Sequence, residues 1–187
     1  MSDPLRLEVI LGTVRPVRFG PVVADWFLRQ AAKDPRFEIG LSDLAEFSLP
    51  SDLTMDSDGA RAFQQRIAAA DAIVAVTPEY NHSTSGALKD AFDLLKREWR
   101  AKPVGFVAYG GLSGGLRAVE HLRQIVAELH MVSIRETVSF HQARKQFDES
   151  GETTSGASID AAARLLNQLD WWGRHLREAR SADPYPA

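Results

Sequence analysis

An uninterrupted apolar run, Ala-Ile-Val-Ala-Val, occupies residues 72–76 near the middle of the chain. A strand with one face in water alternates apolar and polar side chains, whereas this run has no polar member. It therefore predicts a strand that is covered on both faces, as in the centre of a parallel sheet with helices on either side.

Strand and helix patterns alternate along almost the whole chain, as such a sheet requires. The predicted strands are residues 5–11, 37–41, 72–76, 104–109 and 131–134, the last with a continuation to Phe140. Apolar residues at helical spacing predict helices beginning at Pro21 and within residues 58–70, 88–95, 116–129 and 159–176. Five strands and five helices are the complement of a flavodoxin-like α/β domain, a five-stranded parallel sheet of order 2-1-3-4-5 with helices on both faces.

The length of 187 residues predicts one domain over residues 1–187, since no repeat or low-complexity tract divides the chain. Residues 142–158 form a polar connection that is long enough for a lid or a partner contact. Residues 181–187, which include Pro184 and Pro186, are expected to form a frayed tail.

The complete absence of cysteine excludes thiolate catalysis, iron–sulfur clusters and cysteine-bound zinc. The five histidines show no HExxH or closely paired spacing, so no metal site is expected. A net charge of -3 gives no electrostatic support for binding nucleic acid or an anionic membrane. The N-terminus lacks a signal-peptide pattern, and no apolar run approaches the roughly 20 residues of a membrane span, so a cytoplasmic location is expected.

Three loops rich in Gly, Ser, Thr, Asn or Arg follow the first, third and fourth predicted strands, at residues 12–20, 77–86 and 110–115. The carboxyl ends of parallel strands share one edge of a sheet, and open α/β sheets bind ligands there. These loops are therefore expected to form one site.

The first loop has the residue types that bind phosphate. Thr13 supplies a hydroxyl, Arg15 and Arg18 supply charge, and the flanking Gly12 and Gly20 favour exposed backbone N–H groups. The alternative is an ordinary surface turn with two solvated arginines.

The first loop has neither the GxGxxG pattern of a Rossmann dehydrogenase nor the GK[ST] of a P-loop. Asp43 does stand where dinucleotide folds place their ribose-binding acid, so the distinction depends on the glycine pattern.

The second loop suits a flat heterocycle with alternating N–H and C=O edges. Pro78 keeps the preceding residue extended, Tyr80 offers a flat surface, and the Asn81 side chain is both donor and acceptor. The alternative is that these residues only turn the chain.

Taken together, the loops resemble those of the NADPH-dependent FMN reductases. The resemblance rests on Pro78-Glu79-Tyr80-Asn81 with Ser83 and residues 86–91, on Gly12-Thr13-Val14-Arg15, on residues 109–118, and on Asp43-Leu44 followed by Leu49-Pro50. It implies that the first loop holds the phosphate of FMN while the second and third loops contact the flavin ring. The implied cofactor-binding residues are Thr13, Arg15, Arg18, Phe19, Gly20, Pro78, Glu79, Tyr80, Asn81, Ser83, Gly110, Gly111 and Ser113.

The chain departs from the family pattern at several positions. Thr13 replaces the more usual Ser, and Arg18 stands where Ser is common, which leaves the phosphate contacts open. His82 replaces a common Gly and Ser85 a common Pro, which we expect to affect the substrate side of the flavin.

The resemblance implies an FMN-dependent oxidoreductase that takes two electrons from NADPH or NADH. No side chain is then expected to act as acid, base or nucleophile, because the flavin carries the hydride. A ping-pong mechanism is expected, with flavin, quinone, azo or metal-oxyanion acceptors. A homodimer or homotetramer is expected too, with Phe92, Leu94 and Trp99 at its interface, unless these side chains cover the domain's own core.

A competing hypothesis is a small serine hydrolase. Residues 111–115 read Gly-Leu-Ser-Gly-Gly, a GxSxG motif between a strand and a helix, with Ser113 as nucleophile. Asp148 or Asp160 followed by His175 gives a permitted chain order for the other two members of a triad. A third hypothesis is a module that binds FMN without catalysis.

Overall fold

Every residue of the central strand is buried, which is the structural counterpart of its unbroken apolar sequence. In the computed structural model, which describes residues 3–153 and 155–186, this strand is the third of five parallel strands in the order β2-β1-β3-β4-β5. The strands are β1 (Leu5–Leu11), β2 (Phe37–Asp43), β3 (Ala72–Pro78), β4 (Pro103–Tyr109) and β5 (Val132–Phe140). The predicted fold class and strand order are confirmed.

Two layers of helices cover the sheet. The helices are α1 (Gly20–Ala31), α2 (Leu44–Phe47), α3 (Asp58–Ala69), α4 (Gly86–Leu94), α5 (Leu116–Glu128) and α6 (Gly156–Ala182), and two 3₁₀ turns span Arg97–Trp99 and Ala143–Lys145. One core cluster joins α1 and α6 to the sheet, and the other joins α3, α4 and α5 to the opposite face. Alternate residues of β3, such as Ile73 and Val74, belong to different clusters, as the two-residue period of a strand requires.

The short helix α2 is an element that the sequence patterns did not predict. Four residues are too few to display a helical period, so nothing in their spacing separates them from a turn. The helix is capped by the Asp43 carboxylate, which accepts a hydrogen bond from the Ala45 backbone at 3.0 Å.

The expectation that Phe92, Leu94 and Trp99 form an intermolecular interface is wrong for these side chains. All three are buried within the chain, Phe92 and Trp99 with no exposed surface. The Trp99 indole N–H donates to the Phe92 carbonyl at 3.1 Å, and its ring packs against Phe63. The 3₁₀ turn after α4 folds Trp99 under the helix, so these residues complete the domain's own core. The oligomeric state stays a prediction.

The connection at residues 142–158 is fixed to the loop after β4 along its first part. The Gln142 and Ala143 backbone N–H groups donate to Gly111 and Gly110 at 2.8 and 3.0 Å. Further along, the Phe147 ring packs against other aromatic rings of the core, with its centroid 4.8 Å from that of Phe140. This part of the connection is therefore a wall of the domain, and α6 begins only at Gly156.

The C-terminal tail begins later than expected. Helix α6 continues through Ala182, so the first two residues of the predicted tail are helical. Beyond it, the Tyr185 hydroxyl lies 3.1 Å from His130 Nδ1. The last residue, Ala187, lies outside the described residues.

In the part of the chain that the structure describes, no helix is both long enough and apolar enough to cross a membrane.

Gly115, which directly precedes α5, has no room for a side chain. Its φ is +90°, and a Cβ would lie 2.6 Å from the Ala108 Cβ and 2.8 Å from the Tyr109 nitrogen. We predict that Gly115→Ala lowers the free energy of unfolding by about 2–4 kcal/mol, because left-handed strain adds to overpacking. Gly111→Ala is the control, since a Cβ there meets nothing within 4 Å. Urea unfolding with equal losses for both variants would contradict this explanation.

Candidate functional site

The loops after β1, β3 and β4 converge at one edge of the sheet and, with the turn after β5, enclose a pocket of about 420 Å³. Most of the predicted site residues line it, namely Arg15, Arg18, Phe19, Pro78, Glu79, Tyr80, Gly110 and Gly111. The predicted residues that do not line it are Thr13, Gly20, Asn81, Ser83 and Ser113. Its remaining lining residues are Val17, Tyr109, Gln142, Ala143, Arg144 and Lys145.

The first loop leaves its backbone N–H groups without protein partners. Within residues 3–153 and 155–186, none of the N–H groups from Thr13 to Phe19 donates to a protein acceptor. Gly20 closes the loop tightly, because a Cβ there would lie 2.5 Å from Thr13 Cγ2 and 2.8 Å from the Tyr109 hydroxyl. A tight loop with unpaired N–H groups ahead of a helix is suited to binding an anion.

Arg18 does not offer a free charge to the pocket. Its two terminal nitrogens donate to the Asp43 carboxylate at 2.7 and 2.5 Å, and one of them also donates to the Thr13 carbonyl. The hydrogen bond with Asp43 raises the pKa of Arg18 above its ordinary value, against the effect of burial. Arg18 therefore has a structural role, in which it shapes the loop around Thr13, and its expected contact with a phosphate stays a prediction.

Arg15 keeps its charge exposed beside the second loop. Its guanidinium carbon lies 5.8 Å from the centre of the Tyr80 ring, which is a cation–π distance. The Thr13 hydroxyl, which is fully buried, lies 3.2 Å from the Tyr80 hydroxyl. Thr13 therefore connects the two loops to each other.

The second loop contains a tight turn between Tyr80 and Ser83, whose backbones exchange hydrogen bonds of 2.9 and 3.0 Å. The two central residues have positive φ, 48° at Asn81 and 71° at His82, as in a type I′ turn. The family's common Gly at the second position suits such a φ. His82 is held there by Arg117, whose terminal nitrogen lies 3.0 Å from His82 Nδ1.

Glu79 is a buried carboxylate that joins the second loop to the third. It accepts hydrogen bonds from the Ser113 hydroxyl and from Arg117, whose Nε lies 2.6 Å and terminal nitrogen 2.5 Å from one oxygen. Burial acts to raise the pKa of Glu79, but the hydrogen bonds and the charge of Arg117 outweigh it and hold the pKa below its usual value. Glu79 is therefore a permanently charged link between the loops at neutral pH.

The contacts of Ser113 do not form a hydrolase triad. Its hydroxyl donates to Glu79, and none of the described histidines forms a hydrogen bond with it. His175 lies on α6, where its ring stacks on Trp171 at 4.4 Å and its Nδ1 contacts the carbonyl of the same residue. Positive φ in this turn occurs at Gly114 and Gly115, so Ser113 lacks the strained backbone of a nucleophile elbow.

A family model described as NADPH-dependent FMN reductase matches residues 5–145. The chain belongs to this family. The resemblance carried by the loop motifs is confirmed.

Several relatives of this FMN reductase family member match it over much of its length. The 2-hydroxy-1,4-benzoquinone reductase of Burkholderia sp. is 31% identical over 94% of this chain and 98% of its own length. The quinone reductase of Escherichia coli is 29% identical over 96% of this chain and 100% of its own length. The NAD(P)H-dependent FMN reductase C4B3.06c of Schizosaccharomyces pombe is 35% identical, but the match covers 59% of this chain and only 60% of that protein.

Among solved structures, the flavoenzyme NAD(P)H:(acceptor) oxidoreductase FerB of Paracoccus denitrificans superposes with a TM-score of 0.74. It is 22% identical, and the match covers 91% of this chain and 98% of FerB. At this identity the likeness concerns the fold alone.

Of the six lining residues that the sequence did not predict, Tyr109, Arg144 and Lys145 add an aromatic ring and two cations to the pocket of this FMN reductase family member. Tyr109 ends β4, and burial raises the pKa of its hydroxyl. Its position at the end of an apolar strand was a usable signal. Arg144 and Lys145 form a basic pair soon after β5, but only the structure shows that this segment turns back toward the pocket.

Among the described residues, no group of three or more His, Cys, Asp or Glu side chains is placed to hold a metal ion.

We predict that Glu79→Gln lowers the free energy of unfolding by about 1–3 kcal/mol at pH 7, because Arg117 loses its carboxylate partner. The pKa of Glu79 is lower in the folded protein than its usual 4.5. Its stabilising contribution is therefore complete above that value and is lost as the pH falls through the folded pKa. Urea unfolding between pH 3 and pH 7 should show the difference from wild type shrinking at low pH.

The control is Glu149→Gln, which makes the same chemical change at an exposed position. The role of the Glu79 carboxylate would be contradicted if Glu149→Gln lost as much stability as Glu79→Gln. It would also be contradicted if the loss in Glu79→Gln did not depend on pH.

Proposed function

We propose that this chain binds FMN in the pocket and uses it to pass two electrons from NADPH or NADH to a small acceptor. The observation that carries the proposal is the row of unpaired N–H groups in the first loop, beside a pocket walled by Phe19, Tyr80 and Tyr109. FMN has the two matching parts, an anionic phosphate and a flat heterocycle.

The phosphate half fits the first loop. The N–H groups of residues 13–15 and 17–19 have no protein acceptor among the described residues, and they stand at the start of α1, where the helix dipole favours negative charge. Arg15 adds a full positive charge that no described carboxylate neutralises. Arg18 holds the loop in shape through Asp43 and the Thr13 carbonyl.

The ring half fits the second and third loops. The backbone N–H groups of Asn81 and Gly111 have no acceptor within the described chain, so they are free to bond the polar edge of a flavin. At Gly111 a Cβ would meet nothing within 4 Å, which leaves space for a flat ring beside the backbone. Glu79 keeps these two loops together through Ser113 and Arg117.

Bound FMN supplies the hydride chemistry. The role of the chain is to hold the phosphate, to orient the ring and to leave room for a second molecule. Since a single pocket serves reductant and acceptor, we propose that they bind in turn, in a ping-pong mechanism.

Quinones, azo compounds and flavins are the proposed acceptors. The quinone reductases among the relatives support the first class, and the NADPH azoreductase of Bacillus sp., 33% identical over 86% of this chain, supports the second. Metal oxyanions and a homodimer or homotetramer are further proposals, which rest on the family resemblance.

The first experiment tests the function as a whole. Purified protein is loaded with FMN, desalted and mixed with NADPH without oxygen. We predict that the protein stays yellow after desalting and bleaches on mixing, as followed at 450 nm. Flavin retention without bleaching by NADPH or NADH would instead indicate a binding module. No retention, together with ester cleavage that is lost in Ser113→Ala, would refute the proposal in favour of a hydrolase.

The second experiment tests the first loop. We predict that Arg15→Ala raises the Kd for FMN about tenfold and leaves the Kd for riboflavin unchanged, because only FMN carries the phosphate. Arg61→Ala, at an exposed position on α3, is the control. Titration by quenching of flavin fluorescence measures both constants, and equal weakening of FMN and riboflavin would contradict a phosphate contact.

A further inference from the structure

Two basic side chains that line the pocket lie outside the three loops described above. Arg144 and Lys145 lie on the 3₁₀ turn after β5 and line the pocket, and no carboxylate among the described residues pairs with either. By contrast, Arg18 and Arg117 at the same site are both paired with acids. Cations left unpaired at a concave site attract an anionic ligand.

The turn that carries this basic pair is built into the pocket wall. Its backbone donates from Gln142 and Ala143 to Gly111 and Gly110, the third loop of the site. Ala143 is buried, and the Lys145 N–H closes the turn onto the Gln142 carbonyl at 2.8 Å. The two cations are therefore carried by a fixed backbone.

Arg144 is also aimed at the first loop. Its guanidinium carbon lies 5.2 Å from the centre of the Phe19 ring, at the end of the segment with unpaired N–H groups. The ring in turn contacts Tyr109 and Phe147 edge-on, so the aromatic surface beneath the guanidinium is fixed by the core. A cation held in this way loses less side-chain entropy when it binds an anion.

The charge balance of the pocket favours such a contribution. A phosphate monoester carries about -1.5 to -2 charges at neutral pH. Because Asp43 neutralises Arg18, the first loop offers only Arg15 as an uncompensated cation. One cation and the backbone dipoles leave part of that charge unbalanced.

We propose that Arg144 and Lys145 form a phosphate subsite at this wall of the pocket. The subsite rests on the proposed function, which supplies two phosphate monoesters, the terminal phosphate of FMN and the 2′-phosphate of NADPH. Both have the same chemistry, and the subsite determines either the preference for FMN over riboflavin or that for NADPH over NADH.

The test uses the double variant Arg144→Gln/Lys145→Gln in the full chain. Its control is Arg97→Gln, an exposed cation in the turn before β4, at the opposite edge of the sheet. The Kd values for FMN and riboflavin and the kcat/KM values for NADPH and NADH are measured for the three proteins. Because both replaced side chains are exposed, we expect an unchanged Tm in the absence of ligand.

If the ligand is the FMN phosphate, the preference for FMN over riboflavin falls about tenfold to a hundredfold in the double variant. If it is the NADPH phosphate, the preference for NADPH over NADH falls by a similar factor while the affinity for FMN stays unchanged. The proposal would be overturned if both preferences of the double variant stayed within twofold of the values measured for Arg97→Gln.

The subsite remains testable if wild-type protein binds no flavin, an outcome that refutes the proposed function alone. Inorganic phosphate is then titrated into wild type and the double variant and followed by NMR chemical shifts. Weaker binding to the double variant supports the subsite, whereas equal binding, or none to either protein, rejects it.

Discussion

The structure depends on the burial of β3 between two layers of helices. Because this strand is apolar on both faces, the chain has to supply a helical layer for each, and the strands beside β3 run parallel to it. Parallel strands all end at the same edge. The loops after β1, β3 and β4 therefore lie together at that edge. The packing of one buried strand thus brings several loops into a single site.

Hydrogen bonds between the loops make this shared edge a fixed pocket. The Ser85 hydroxyl donates to the Gly12 carbonyl and also accepts from the Leu88 backbone, so one side chain caps α4 and holds the first loop. Glu79 joins the second loop to the third through Ser113. The contacts from Ser85 to Gly12 and from Ser113 to Glu79 join residues far apart in sequence. Ligand binding therefore finds a pocket that folding has already ordered, and less conformational entropy is lost on binding.

The sequence predicted the sheet and the three loops because both depend on local patterns. Apolar runs marked the strands, and clusters of Gly, Ser, Thr and Arg marked the loops. It failed where a residue's role is set by a distant partner. The pairing of Arg18 with Asp43 was not predicted, because the two residues lie 25 positions apart. Trp99 was assigned to an interface because nothing local shows that the turn folds under α4, and the place of Arg144 follows only from the packing of β5 beside β4.

The residues at which this chain departs from the family pattern contact other residues of the protein. Arg18 is bound by Asp43, His82 by Arg117, and Ser85, which was expected to affect the substrate side, is buried against the first loop. Of these three residues, Arg18 also lines the pocket, whereas His82 and Ser85 are not among its lining residues. Among the described residues that line this pocket, Arg15, Arg144 and Lys145 are the cations without a carboxylate partner, so their charge is available to an anionic ligand.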